Sequence, residues 1–370
     1  MQKSFVYKLF AALTLLMSLF SAAASELKPV LVVVTSHGEP EGQRPGYEFD
    51  ELAKTYLVFK ANNVDVDIAS PKGGAVIADE YDAKKAFNQL VLEDTVFSDK
   101  LANTLPLAKL NAENYSGVFV IGGKGAMFDL PYDTHLQSLI ADIYEQKGSV
   151  GAVCHGPAAL VNVQLSDDSW LVAGKSVNSF TNEEEQLFGK KWAKEFDFML
   201  QDKLIERGAK FQHSPMMLNH VATDGRLITG QNPASTSQTA LAFVRSLGIT
   251  PAPYSAFEDE RTLALVASLL NNEASAKIEL SNNLENYHAQ LLGMYGFYYL
   301  MSAKSQEDIG HALTLMEATR SSINHPMLDL QIVKGYQKSG KLELAKQNLA
   351  TLLEAHPDNE AAKAMAKELL

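Results

Sequence analysis

The residues best suited to chemistry lie in one short stretch, Gly148–Leu160, which contains the single cysteine of the chain. The small apolar residues Val150–Val153 predict a buried strand that stops at Cys154. Gly156 permits a tight turn, and Pro157 stands where a first helical residue would, where its missing N–H costs nothing. The order of strand, nucleophile, sharp turn and helix is that of a nucleophile elbow, with cysteine in place of serine. The stretch therefore predicts a catalytic thiol.

Two local features would activate such a thiol. The N-terminus of a following helix favours the thiolate, and the backbone N–H of His155 would point towards an oxyanion at the same site. The alternative is that Cys154 is simply a small buried hydrophobic residue at a strand end. An unpaired cysteine in a chain with an export signal favours the functional interpretation.

The first 24 residues predict a cleavable signal peptide. Lys3 and Lys8 supply the positive charge, Leu9–Phe20 the apolar segment, and Ala22–Ala24 a small-residue cleavage site. The apolar segment is short for a membrane span. We therefore expect an exported protein, periplasmic if the source is a Gram-negative bacterium, with no membrane insertion after cleavage.

Charge excludes two classes of partner. The net charge is −12, and it becomes −14 without Lys3 and Lys8, because residues 1–24 contain no acidic residue. An acidic protein of this kind repels nucleic acid and anionic membranes. The length, 370 residues, predicts two domains after the signal peptide.

Residues 25–248 alternate strand and helix patterns and predict the first domain. Continuous β-branched runs such as Val30–Val34 are typical of strands that are buried on both faces of a parallel sheet. We expect an α/β three-layer sandwich with a mostly parallel, flavodoxin-like sheet, interrupted by an insertion with short helices at residues 71–112. Sites in such sheets lie beyond the carboxyl ends of the strands, where Cys154 and the loop Gly122–Gly125 both fall. Further strands are expected at Val64–Ala69, Val118–Ile121, Val177–Phe180, Val221–Ala222 and Leu227–Thr229.

The composition changes after Gly248. Residues 249–257 form a proline-marked linker, and residues 258–370 are almost wholly helical in pattern. Tyr336, Gly340, Ala345, Leu349 and Pro357 match the tetratricopeptide (TPR) pattern, and Ala312 precedes Ala345 by 33 positions, near the period of that repeat. A second domain that is all-α and TPR-like would imply a protein or peptide partner, or self-association. The alternative is a generic helical bundle packed on the α/β domain.

Four motifs together resemble the ThiJ/PfpI superfamily, the class I glutamine-amidotransferase-like fold, over about residues 29–248. The resemblance is strongest to the branch of heat-shock chaperones and glutathione-independent glyoxalases (glyoxalase III). The motifs are Val153–Pro157, Gly122–Pro131, Ser179–Glu185 and Asp224–Ser235.

The resemblance implies roles for single residues. Cys154 matches the nucleophile, His155 the adjacent general base or acid, and Glu185 the carboxylate that orients this histidine. Glu51 matches the glutamate near the thiol, and the backbone of Gly123 matches the other half of the oxyanion site. Lys124 stands where relatives often carry histidine, which puts a substrate contact from that side chain in doubt.

Each of these residues also has a purely structural interpretation. His155 could cap the turn, the run Glu183–Glu185 could be an acidic first helical turn, and Glu51 could lie on a solvated helix face. The histidines and acids show no metal-binding spacing, and the Gly122–Gly125 loop lacks nucleotide-binding spacing, so no metal or cofactor is expected.

The function that follows is a glutathione-independent glyoxalase of the D-lactate dehydratase type, acting on a small carbonyl compound such as methylglyoxal. A thiolate adds to the aldehyde, a histidine moves the proton, and backbone N–H groups hold the alkoxide. The alternatives are a stress-related chaperone in which Cys154 is incidental, and a thiol amidase or peptidase. The resemblance also predicts that two copies can associate as a homodimer.

Overall fold

The computed structural model describes residues 27–189 and 191–369. The predicted signal peptide, residues 1–24, lies outside the described residues. Within the described part of the chain, no helix is both long enough and apolar enough to cross a bilayer.

A central sheet organises the first half of the chain. The described residues form the strands β1 (Val30–Val33), β2 (Val66–Ser70), β3 (Leu105–Pro106), β4 (Gly117–Val120), β5 (Ser149–Val153), β6 (Ser176–Val177), β7 (Lys210–Phe211), β8 (Val221–Asp224) and β9 (Leu227–Gly230). Seven of them pair in the order β3-β2-β1-β4-β5-β9-β8. All neighbours in this sheet are parallel except β8 and β9, which form an antiparallel hairpin around Gly225.

Helices cover both faces of the sheet. In the α/β part they are α1 (Phe49–Ala61), α2 (Ala86–Leu92), α3 (Thr95–Ala102), α4 (Ala126–Asp129), α5 (Thr134–Glu145), α6 (Asn182–Phe188), α7 (Leu200–Glu206) and α8 (Thr236–Ser246). The rings of Phe59 on α1 and Phe243 on α8 pack against Phe119 of β4 on one face. Ile140 of α5 belongs to the cluster on the other face. The predicted three-layer sandwich with a mostly parallel sheet is confirmed.

The insertion at residues 71–112 contains the short elements α2, α3 and β3. It packs on the first helix of the domain, because the ring of Tyr81 stacks on Phe49 with centroids 3.9 Å apart. Asn88 donates a hydrogen bond to the Asp50 carboxylate at 2.6 Å. The segment is therefore folded onto α1, close to the ends of the strands.

One predicted strand is wrong. The sequence predicted a strand at Val177–Phe180, but only Ser176–Val177 is extended and paired, and it pairs with β7 outside the main sheet. Asn178 donates its backbone N–H to the hydroxyl of Thr229 at 2.8 Å, and Phe180 donates its own to the carbonyl of Cys154 at 2.8 Å. These bonds lead the chain across the ends of β9 and β5, directly over the thiol.

From residue 258 the described chain is helical. The helices are α9 (Glu258–Leu270), α10 (Ala274–Asn282), α11 (Ala289–Ser302), α12 (Gln306–Ile323), α13 (Pro326–Lys338), α14 (Leu342–Ala355) and α15 (Glu360–Leu369). We call residues 258–369 the helical region. Helices α11 and α12 pack together, as do α13 and α14, and Ala312 and Ala345 are fully buried. The predicted helical character of this region is confirmed for residues 258–369.

Candidate active site

Cys154 lies at the carboxyl end of β5, with its φ angle at +60°. Left-handed backbone at a residue other than glycine is strained and is characteristic of nucleophile elbows. The Cys154 N–H donates to the carbonyl of Gly230 at 2.9 Å, which holds the turn against β9. A Cβ on Gly156 would lie 2.4 Å from the carbonyl oxygen of Val120, so the turn fits against β4 only because this residue is glycine. The predicted elbow is present in the backbone.

The thiol, an imidazole and a carboxylate form a chain of close contacts. Sγ of Cys154 lies 3.4 Å from Nδ1 of His155, and Nε2 of His155 lies 2.8 Å from Oε2 of Glu185. All three residues are buried. The structure therefore brings together three residues that the sequence assigned to catalysis, and the carboxylate contact selects the tautomer in which Nε2 carries the proton and Nδ1 accepts.

Local capping places Glu185 at this position. Helix α6 begins after Thr181, whose hydroxyl accepts a hydrogen bond from the backbone N–H of Glu184. In return, the carboxylate of Glu184 accepts a hydrogen bond from the backbone N–H of Thr181. This capping box fixes the first turn of the helix. Glu184 also accepts from the side chains of Gln231 and Asn232. Glu184 is thus held in a structural network, while the next residue along, Glu185, reaches the imidazole.

Glu51 lies in the first turn of α1 and is fully buried. Its Oε2 accepts a hydrogen bond from the backbone N–H of Gly122 at 2.8 Å. Among the described residues, Oε1 of Glu51 has no hydrogen-bond partner within reach. A Cβ on Gly122 would lie 2.8 Å from both Oε2 of Glu51 and Cβ of Cys154, so the glycine lets the carboxyl approach the thiol. The sequence left open that Glu51 lies on a solvated helix face, but in the structure its side chain is buried.

Electrostatics corrects one prediction from the sequence. Burial raises the pKa of the Cys154 thiol well above its usual value, and the charge of Glu51 raises it further. Burial also raises the pKa of Glu51 well above its ordinary range, and Glu48 adds to the effect. A helix N-terminus was expected to favour the thiolate, but the residues after the turn form only a short 3-10 helix, Gly156–Leu160. Burial therefore favours the neutral form of the thiol and the neutral form of the neighbouring carboxyl group.

The Gly122–Gly125 loop lies against the thiol, as the sequence predicted. Gly123 and Lys124 line the same pocket as Cys154 and His155. Within the described chain, the backbone N–H groups of Gly123 and His155 have no hydrogen-bond acceptor. Glu48 lines this pocket together with Lys124.

The pocket has a volume of about 520 Å³ and is formed by three parts of the chain. Cys154 and His155 form its floor, Lys85 of the insertion contributes one side, and Leu291 and Tyr298 of the helical region contribute another. Among residues 27–189 and 191–369, no cluster of three or more His, Cys, Asp or Glu side chains could hold a metal ion.

Sequence reasoning missed two groups that line this pocket. Glu48 precedes α1 by one residue, and its place three positions before Glu51 was the available signal. Leu291, Met294 and Tyr298 were recognised only as part of a helical pattern. Their spacing predicts a shared helix face, but it does not say what that face contacts.

Glu48 gives the site a pH dependence. Burial raises its pKa from 4.5 to about 7, and the negative charges of Asp50 and Asp79 act in the same direction. Because the folded state prefers protonated Glu48, its contribution to stability is complete below the ordinary pKa and is lost as the pH rises through 7. We expect Glu48→Gln to flatten the fall in melting temperature between pH 5 and pH 8. Thermal unfolding at several pH values measures this effect.

The control for this experiment is Glu93→Gln, which changes the same type of side chain at an exposed position. It should leave the dependence of the melting temperature on pH unchanged. A Glu48→Gln profile as steep as that of the unaltered protein would contradict the prediction.

Comparison with known proteins agrees with this architecture. Residues 44–246 match the DJ-1/PfpI family. The chain is 34% identical to a glutathione-independent glyoxalase of Schizosaccharomyces pombe over 235 residues, which cover 60% of this chain and 96% of the relative.

Two solved structures share the fold. Glyoxalase III from Candida albicans is 27% identical, with a TM-score of 0.55 over 59% of this chain and 97% of the other. The 24 kDa rapid encystment protein of Francisella tularensis is 32% identical, with a TM-score of 0.56 over 60% of this chain and 99% of the other. With the matched segment spanning more than half of its length, the chain belongs to the DJ-1/PfpI family.

Proposed function

We propose that this protein is a thiol-dependent enzyme that converts methylglyoxal or a related α-oxoaldehyde to a 2-hydroxy acid without glutathione. The observation that carries the proposal is the Cys154–His155–Glu185 chain on the floor of a pocket, with Glu51 beside the thiol. The names of the similar glyoxalases support the same reaction class. All four residues lie within the segment that matches the family.

In the first step, Sγ of Cys154 bonds to the aldehyde carbon. Nδ1 of His155, 3.4 Å from Sγ, accepts the thiol proton as the carbon–sulfur bond forms. The carbonyl π bond breaks and its oxygen takes up the proton that the imidazolium of His155 returns, which gives a hemithioacetal and a neutral His155. Since burial disfavours a resting thiolate, proton removal and attack are expected to be coupled. Glu185 stabilises the imidazolium that forms.

The second step moves hydrogen between the two oxygen-bearing carbons. His155 removes the proton from the carbon bonded to sulfur, and the former ketone oxygen takes up a proton, which gives an enediol. The enediol then gains a proton at the former ketone carbon while the hydroxyl on the carbon bonded to sulfur loses its proton, so the intermediate becomes a thioester of a 2-hydroxy acid. Water then cleaves the thioester, releasing the acid and restoring the thiol. The aldehyde carbon is oxidised and the ketone carbon reduced within one molecule, so no external oxidant or cofactor is required.

The backbone supplies stabilisation for the developing oxyanion. Gly123 and His155 line the pocket together with Cys154, and their backbone N–H groups are not used by other acceptors in the described chain. Donors fixed in place before the reaction lower its barrier without any reorganisation cost. Gly122, by contrast, donates its N–H to Glu51 and is not available.

Lactate formation from methylglyoxal tests the proposal. The purified protein is incubated with methylglyoxal in the absence of glutathione, and lactate is measured over time. Accumulation of lactate with substrate consumed in equal amounts is the expected result. No lactate from protein whose fold is intact by circular dichroism would overturn the proposed function, and suppression of client aggregation would then test the chaperone alternative.

We also propose that the protein is exported, on the strength of the charged, apolar and small-residue segments at positions 1–24. Mass spectrometry of the protein from its natural source would then find a mature chain that begins near Ser25. An intact N-terminus, with residues 1–24 retained, would contradict export by cleavage.

A further inference from the structure

The pocket above Cys154 has a wall that comes from outside the family fold. Leu263 of α9 and Leu291, Met294 and Tyr298 of α11 line the same pocket as the thiol. The family match ends at residue 246, and similar glyoxalases cover only about 60% of this chain while using nearly their whole length. The helical region therefore adds to the site a surface that the matched segment does not contain.

Contacts across the boundary hold this wall in place. Nζ of Lys54, on α1, lies 2.6 Å from the carboxylate of Asp259 on α9, and the Lys54 side chain is almost fully buried. The rings of Phe87 and Phe257 meet edge to face with centroids 5.1 Å apart. The helical region is thus docked on the α/β domain at the helix that carries Glu51.

An apolar cluster continues the same boundary near the thiol. Leu218, from the loop before β8, packs in one core cluster with Leu263 and with Leu292 and Tyr295 of α11. The backbone N–H of Met217 donates to Glu184 at 2.8 Å, which ties this loop to α6. The docked face of α11 is therefore connected to the helix that presents Glu185.

The pocket-facing side of α11 is apolar and aromatic except for Gln290 in its first turn. Leu291, Met294 and Tyr298 follow each other at helical spacing of three and four positions, so they share one face. The ring of Tyr298 meets that of Phe188, at the end of α6, edge to face with centroids 4.8 Å apart. This surface suits a flat apolar group rather than a charged one.

The volume of the pocket also exceeds what a three-carbon substrate fills. At about 520 Å³ it falls in the range of pockets that enclose drug-sized ligands. Apolar side chains of α11 line part of this space. It therefore favours a substrate whose reactive end contacts Cys154 and whose larger apolar group packs against α11.

We propose that the α11 face formed by Leu291, Met294 and Tyr298 is a specificity subsite that binds an aromatic or bulky apolar group of the substrate. This inference rests on the proposed function, and it identifies the substrate class as α-oxoaldehydes with such a group. Phenylglyoxal represents this class, and methylglyoxal lacks the group that would reach the subsite.

A pair of matched variants tests the subsite kinetically. Met294→Trp narrows the pocket, whereas Met301→Trp makes the same change on the same helix at an exposed position that does not line it. We expect Met294→Trp to lower kcat/KM for phenylglyoxal about tenfold or more, mainly through KM, and to lower kcat/KM for methylglyoxal by a clearly smaller factor. Met301→Trp should change neither. If Met294→Trp lowers kcat/KM by the same factor for the two substrates, the proposed subsite is wrong.

Alkylation of Cys154 provides a readout that does not depend on turnover. Because Cys154 is the single cysteine of the chain, mass spectrometry reports its reaction without interference. Met294→Trp should slow labelling by N-phenyl iodoacetamide more than labelling by iodoacetamide, and Met301→Trp should slow neither. If the protein turns over neither aldehyde, the proposed function fails and the labelling result still decides whether the subsite exists. Equal slowing of both reagents, or slowing of neither, would overturn it.

Discussion

Replacing Cys154 by serine is expected to abolish lactate formation from methylglyoxal, with a loss of roughly 10³-fold or more in kcat. A serine hydroxyl is a much weaker nucleophile than a thiol and is harder for the neighbouring His155 imidazole to deprotonate. Lactate measured over time with the unaltered protein and the Cys154→Ser variant checks the prediction. Turnover retained in the variant would contradict a thiol nucleophile.

The substitution is close to isosteric, so it separates chemistry from folding. Cys154 occupies a left-handed backbone conformation in which serine meets the same steric cost. We therefore expect the melting temperature and the circular dichroism spectrum to change little. Since the variant contains no cysteine, thiol titration verifies that the reactive group is absent.

Glu185→Gln is expected to lower kcat by roughly 10²–10⁴-fold with little change in KM. In the protein, the Glu185 carboxylate lies 2.8 Å from Nε2 of His155, which keeps the proton on that nitrogen and leaves Nδ1 free to accept from the thiol. A glutamine amide that donates to Nε2 would place the proton on Nδ1, where it faces Sγ and blocks acceptance. Steady-state kinetics across pH measures the loss and any shift in the profile.

Neighbouring Glu183 provides the control. Glu183→Gln changes the same side chain two positions earlier on α6, outside the His155 contact and the Glu184 network. Its kcat should stay within about twofold of the unaltered protein. Similar losses in both variants would indicate damage to the helix instead of loss of the proton relay. Partial recovery in Glu185→Asp would support a positioning role for the carboxylate.

The sequence predicted those parts of the fold that depend only on local residue pattern and on the direction of the strands. β-branched runs, the Gly156–Pro157 turn and the alternation of strands with helices defined the α/β sandwich, and they placed Cys154 and the Gly122–Gly125 loop at one edge of the sheet. Parallel neighbours end on the same side, so spatial proximity followed from topology alone. Val177–Phe180 was misassigned because its hydrogen bonds go to Thr229 and Cys154, contacts that no local pattern encodes.

The sequence also placed acidic residues near the thiol without distinguishing their roles. Glu183, Glu184 and Glu185 look alike as a first helical turn, and the assignment of Glu185 came from family resemblance. Only the packed structure separates them, because Glu184 is held by Gln231 and Asn232 while Glu185 contacts His155.

By itself, then, the sequence determined the elbow, the sheet and the helical character of residues 258–369, since these depend on residue type and spacing. Tertiary structure decided the protonation preference of Cys154 and Glu51, because burial and neighbouring charge come from distant segments. It also decided that Met294 and Tyr298 face the thiol pocket. Helical periodicity specifies that a face is apolar, whereas its partner is set by how the whole chain packs.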